Sequence, residues 1–195
     1  MNKIKIMILA LVLGLTTSVQ AEPIIGEASG LCKATTLVTF DEVVLTELTE
    51  IGQAYEELGV SFSEGVAYNV STHMPAGPNL SEPDALNMTG SGLWVIKFHP
   101  PVKEVSFAYA SDLTVTTFIA KRRGKVVEQF ESITDFGSNV VDNIFGFRDV
   151  LIDEVVIEVD TSAYLVGNAI DNLAFSTRRH PKGCVSYRGK KHESE

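Results

Sequence analysis

The sequence predicts an all-β protein, an antiparallel β-sandwich of about nine short strands. Three observations carry that reading. After the first twenty or so residues, helical periodicity is almost absent. Short runs rich in Val, Ile, Thr and Phe alternate apolar and polar positions, as half-buried strands do. Gly, Pro, Asn and Asp punctuate those runs at the intervals expected of turns.

The chain opens on Met1-Asn2-Lys3-Ile4-Lys5, a short basic stretch, followed by an apolar run from Ile6 to Leu15 and small residues up to Ala21. This reads as a secretory signal peptide (1–21) cut after Ala21, because the apolar run is too short to span a bilayer. No later stretch reaches the ~20 consecutive apolar residues of a membrane span. The expected location is therefore secreted or periplasmic. Removing the leader leaves 174 residues (195 − 21), enough for one domain with a full core.

The first strand is expected in "TLVTFDE" (36–42), with Val38 and Phe40 on one face. A polar connector containing a short helical turn leads to "GVSFSE", and "GVAYNVS" continues or pairs with it. "LWVIKF" (93–98) is a strand that Pro100-Pro101 separates from "VKEVSFAYA" (102–110). Residues 113–133 read as a hairpin turning at Arg123-Gly124-Lys125. "IFGFRDV" (144–150) is a further short strand, and "LIDEVVIEVD" (151–160) sets Val155, Ile157 and Val159 against Glu154, Glu158 and Asp160. "NAIDNLAFS" (168–176) closes the domain, which spans 22–177 and is followed by a basic tail, 178–195. The long irregular stretch 71–92, rich in Pro and Gly, is the first place to look for a ligand surface.

Charge is uneven along the chain. Residues 22–177 hold 8 Lys/Arg against 23 Asp/Glu, a balance of −15, whereas 178–195 hold 6 against 2, a balance of +4. The acidic body disfavours nucleic acid and anionic lipid, and the tail reads as a solvated terminus. Two cysteines, Cys32 and Cys184, lie near the two ends of the domain. In an exported protein such a pair is expected to form one disulfide.

Asp171 shares parity with Leu173 and Phe175, so alternation points it at the core, where an unpaired carboxylate is costly. Glu42 shares parity with Val38 and Phe40, and Asp41 precedes it. Carboxylates brought together by pairing of the first and last strands would suit a structural calcium at Asp41, Glu42 and Asp171. The alternative is that Asp171 accepts backbone N–H groups of its neighbours and needs no metal.

The set "VTFDE", "LGVSFSEG", "PAGPNLSEPDALNMTGSG", "FHPPVKEVSFAYA", "IDEVVIEVD" and "NAIDNLAF" resembles exported bacterial β-sandwich domains of PEP-CTERM-type surface proteins. It is also similar to jelly-roll carbohydrate-binding modules, and the resemblance spans roughly residues 36 to 176. It implies a jelly-roll-like sandwich and a calcium carried over onto Asp41 and Asp171, with Glu42 the alternative by parity. The C-terminal Pro-Glu-Pro and apolar tail of the surface-protein pattern are missing, which favours a free secreted or periplasmic protein.

Sugar recognition needs exposed rings and polar groups that fix hydroxyls. Trp94 and Tyr109 share parity with core positions, which leaves Tyr55, Tyr68 and Tyr164, near connectors, as candidate ligand residues. The long loop adds His73, Asn79, Asp84 and Asn87. No G-x-S-x-G and no H-x-x-x-H occurs, so catalysis by a serine elbow or a zinc pair is not expected. The reading is a non-catalytic module binding carbohydrate or surface glycan. The alternatives are a structural or adhesive matrix component binding protein partners and, further behind, a polysaccharide hydrolase using paired carboxylates.

Overall fold

The computed structural model describes residues 22–31, 33–46, 49–63, 66–69, 84–87, 92–111, 114–134, 143–160 and 168–179. They form twelve strands and a single 3-10 turn, Glu56–Leu58, where the sequence places a helical turn. The strands are β1 (Glu22–Glu27), β2 (Thr36–Val38), β3 (Val60–Phe62), β4 (Val66–Asn69), β5 (Asp84–Asn87) and β6 (Leu93–Val102). They continue as β7 (Glu104–Ser111), β8 (Thr114–Arg122), β9 (Lys125–Thr134), β10 (Ile144–Arg148), β11 (Ile152–Val159) and β12 (Asn168–Ser176). Among the described residues no helix is long and apolar enough to cross a membrane.

Two antiparallel sheets make the expected jelly-roll-like sandwich. One runs β1-β10-β7-β12-β5-β4, with β2 also on β12; the other runs β3-β6-β11-β8-β9. The strand count exceeds the expected nine for identifiable reasons. β1 contains Pro and Gly and is a strand only because β10 pairs with it. β5 lies within the Pro- and Gly-rich stretch 71–92 and is recruited by β12 and β4. The first expected strand, 36–42, instead stops at Val38, and Phe40 takes a left-handed backbone conformation, φ 65°.

Inner faces follow the alternation. Phe98 of β6 meets Phe175 of β12 at 5.2 Å between ring centroids. Phe118 of β8 stacks on Phe145 of β10 at 4.9 Å and 8° and on Phe130 of β9 at 5.1 Å. Such ring pairs add about 0.5–1.5 kcal/mol each beyond the area they bury. Trp94, at 2% exposure, belongs to this core as its parity requires.

β12 breaks the alternation once. Its register with β7 runs Ile170↔Tyr109 and Asp171↔Ala108, then resumes at Ala174↔Ser106. Three steps on β12 answer two on β7, so one residue is extra, and Asn172 sits there at φ 50°. Asn tolerates this left-handed conformation better than most residues. The bulge exchanges the faces. Ile170 before it and Leu173 and Phe175 after it all reach the inter-sheet core, whereas Asp171 lies opposite Ala108, on the outer face.

That outer face is covered. β1 and β2 lie on either side of the β10-β7-β12 strip, so the chain joining them crosses it. Leu31 packs there with Ile24, Ala108, Ala110, Ile144 and Ala174, and its N–H donates to Ser106 Oγ at 3.0 Å. Small side chains on β7 and β12 let this strap lie close. A Cβ on Gly30 would sit 2.6 Å from Ser106 Oγ. Gly146 of β10, at φ 155°, is tighter still, since a Cβ there would run into the Val105 carbonyl.

Gly30→Ala should destabilise the fold by about 1–3 kcal/mol through overpacking. Ser106→Ala should cost a similar ~1–3 kcal/mol by leaving the buried Leu31 N–H without its acceptor. In the double variant the new methyl occupies the space the hydroxyl vacates, so urea denaturation should give a cost below the sum by at least about 0.5 kcal/mol. Full additivity would mean the strap is not seated on Ser106.

Candidate functional site

The β4–β5 hairpin collects three of the seven residues that the sequence nominates for ligand contact. Its register is Val66↔Asn87, Tyr68↔Ala85 and Asn69↔Asp84. Positions 68 and 87 therefore share one face of the ribbon, and position 84 lies on the other. β5 joins β12 through Ala169↔Asn87 and Ile170↔Leu86, which sets the hairpin at the rim of the larger sheet. His73 and Asn79 fall in the connection between β4 and β5, and Tyr164 precedes β12; all three lie outside the described residues.

Tyr55 is a correction. It is 1% exposed, and its hydroxyl donates to the Phe40 carbonyl at 3.0 Å. Its ring meets those of Phe40 (5.5 Å, 79°) and Phe62 (6.2 Å, 85°) edge-on. Proximity to a connector made it look available, but the ring pins the left-handed turn at Phe40 and faces no solvent.

The three carboxylates named for calcium do not fit a shared ion. Because β2 ends at Val38, Glu42 never points inward. Its Oε1 accepts from the Thr39 N–H at 2.7 Å and the Thr39 hydroxyl at 3.1 Å, a local cap on an exposed turn. Asp41 is exposed. Asp171 is fully buried on the outer face of the larger sheet, and its Oδ1 accepts the Asn172 N–H at 2.6 Å. That is the capping arrangement the sequence leaves open, and it holds the bulge. Among the described residues no group of three or more His, Cys, Asp or Glu is placed to hold a metal. Cys32 and Cys184 lie outside the described residues.

A buried polar cluster that no sequence pattern announces closes one end of the core. Tyr109, 1% exposed, donates its hydroxyl to Asn168 Oδ1 at 3.0 Å and lies 3.2 Å from Thr116 Oγ1. Asn168, Thr116 and Ser111 are buried with it. Burial pushes the Tyr109 hydroxyl up from 10.0 to about 12, against the opposing pull of its Thr116 and Ser111 hydrogen bonds. The signal in the sequence was the parity of Tyr109 with Val105 and Phe107. Its partners come from other strands and could not be read.

No known family matches this sequence, and no curated protein matches it. Among solved structures, a mutant of the family 29 carbohydrate-binding module CBM29-2 is similar over 81% of this chain and 92% of its own, at 16% identity and TM-score 0.32. TmCBM61, solved in complex with beta-1,4-galactotriose, is similar over 67% of this chain and 98% of its own, at 12% identity and TM-score 0.33. At these scores the likeness carries no assignment of ligand or activity.

The polar cluster generates a pH prediction with a definite sign. A folded-state value of about 12 against 10.0 unfolded means the unfolded chain loses its proton first. The contribution is fully present below pH 10.0 and is lost as pH rises towards about 12, by at most about 1.4 kcal/mol per pH unit. Urea unfolding of wild type and Tyr109→Phe at neutral pH and near pH 11 should show the gap between them narrowing by roughly 1 kcal/mol. A constant gap would contradict the buried, un-ionised phenol.

Proposed function

We propose that this chain is an exported, non-catalytic binding module whose ligand is a carbohydrate, recognised along the β4–β5 hairpin and its 70–83 connection. The observation that carries the proposal is the hairpin register, which sets Tyr68 and Asn87 on one face at the sheet rim. A phenol and an amide on one face are residue types that can stack on a sugar and fix its hydroxyls. The aromatic rings whose burial is described are all buried or half-buried, so they leave few places for recognition by stacking.

The expected Cys32–Cys184 disulfide belongs to the same proposal. Leu31, next to Cys32, is bonded to Ser106, and Ser106 lies opposite Ala174, two residues short of the end of β12. The entry and exit of the domain thus approach one another on the outer face.

A glycan array followed by affinity electrophoresis tests the carbohydrate reading. Binding to at least one neutral polysaccharide is expected, with Tyr68→Ala and Asn87→Ala each weakening it by roughly tenfold, ~1.4 kcal/mol, and leaving the melting curve unchanged. Absence of glycan binding together with self-association would favour the adhesive alternative.

A further inference from the structure

One end of the sandwich gathers cations that the acidic composition hides. The pairings Ile152↔Val102, Glu154↔Lys121, Ser176↔Glu104 and Glu22↔Arg148 bring the β6–β7, β8–β9 and β10–β11 turns and the exit of β12 to the same end. Hydrogen bonds lock these turns together. The Lys103 N–H donates to the Ser176 carbonyl at 2.7 Å, and the Val150 N–H donates to the Lys103 carbonyl at 3.3 Å. Arg179 Nε lies 3.6 Å from Asp149 Oδ1. Asp153 stands where the β11–β6 register shifts, the surplus residues lying on β6, and it accepts from Arg122 Nη1 at 2.7 Å and from the Arg123 N–H at 2.9–3.0 Å.

Arg123 and Gly124, at φ 51° and 73°, form a tight two-residue turn of the I′ kind. Its backbone is held by Asp153, while the Arg123 side chain stays exposed. Lys103, Arg123, Lys125 and Arg178 make no ion pair among the described residues. Between these cations stand exposed aliphatic side chains, Leu151 at 42% and Val126 at 52%.

We propose that this end, built from Lys103, Arg123, Lys125, Arg178 and the interleaved Leu151 and Val126, is a docking surface for an anionic lipid bilayer. Charge complementarity selects an anionic surface, because each cation near such a surface is attracted to it. The exposed aliphatics select a bilayer over a soluble polyanion, since they gain by entering the headgroup–acyl boundary and gain nothing from a hydrated polymer. The balance of −15 over residues 22–177 repels the body of the molecule from such a surface, so approach is favoured through this end. In the sequence, further cations follow Arg179, Lys182 and Arg188 among them.

The test is co-sedimentation of the chain from Glu22 onward with phosphatidylcholine vesicles, with and without phosphatidylglycerol, at low and high salt. Binding is expected only with phosphatidylglycerol, and high salt should release it. The double variant Arg123→Glu with Lys125→Glu should weaken binding at least about tenfold. Leu151→Ser should weaken it several-fold, with circular dichroism and melting of both variants as in wild type. No binding to phosphatidylglycerol vesicles, or equal partition of the charge-reversed variant, would overturn the proposal. So would a Leu151→Ser variant that binds as wild type, because the surface would then be reading charge alone, as for a soluble acidic polysaccharide. The glycan array is independent of these outcomes, since the β4–β5 hairpin stands at the rim of the larger sheet.

Discussion

A single extra residue in β12 organises this domain. β12 is central to the larger sheet, paired with β7 along one side and with β5 and then β2 along the other. The bulge at Asn172 falls where the second side changes hands, after Ile170↔Leu86 and before Leu173↔Val38. It lets one strand send Ile170, Leu173 and Phe175 into the same core while turning Asp171 and Ala174 outward. The Asp171 carboxylate accepts the Asn172 N–H and so stabilises the irregularity that displaced it from the core.

The outward face then needs a cover, and the chain supplies one from its own beginning. Ser106, Ala108, Ala110 and Ala174 form a shallow bed on which Gly30 and Leu31 lie. With that face closed and the rings withdrawn between the sheets, the described surface offers no aromatic platform on this flank. The sites we propose lie instead at the rim, where the β4–β5 hairpin stands, and at the turns. The two proposals thus fall on different parts of the fold, the charged surface at the turns and the sugar at the hairpin.

Much of the fold was legible because alternation and turn residues agree over long strands. β11 places Val155 and Ile157 inward and Glu154 and Glu158 outward, and β8–β9 turn at Arg123-Gly124, as their residues require. Where a strand depends on its neighbour, the residues mislead. EPIIGE looks like a connector until β10 pairs with it, and DALN is invisible inside a loop-like stretch. Parity fails at two points for one shared reason, a left-handed residue that resets the phase. Phe40 ends β2 and frees Glu42 to cap Thr39, and Asn172 reverses Asp171. The calcium set joined these two parities to a carry-over onto Asp41, and among the described residues no three such groups come together, although β2 and β12 do pair. The Tyr109 cluster stayed hidden because Thr116 and Asn168 meet it only through tertiary packing.

The outward orientation of Asp171 is the point on which this account turns, and a nuclear Overhauser experiment reads it directly. In the antiparallel pair Asp171↔Ala108 the two side chains share a face, with Cβ atoms about 4.5–5.5 Å apart. Cross-peaks from the Asp171 β-protons to the Ala108 methyl are therefore predicted, together with Leu31 methyl contacts to Ala108 or Ala174. Cross-peaks from Asp171 to the Phe107 ring or the Leu173 methyls, with none to Ala108, would show an unbroken alternation and contradict the bulge.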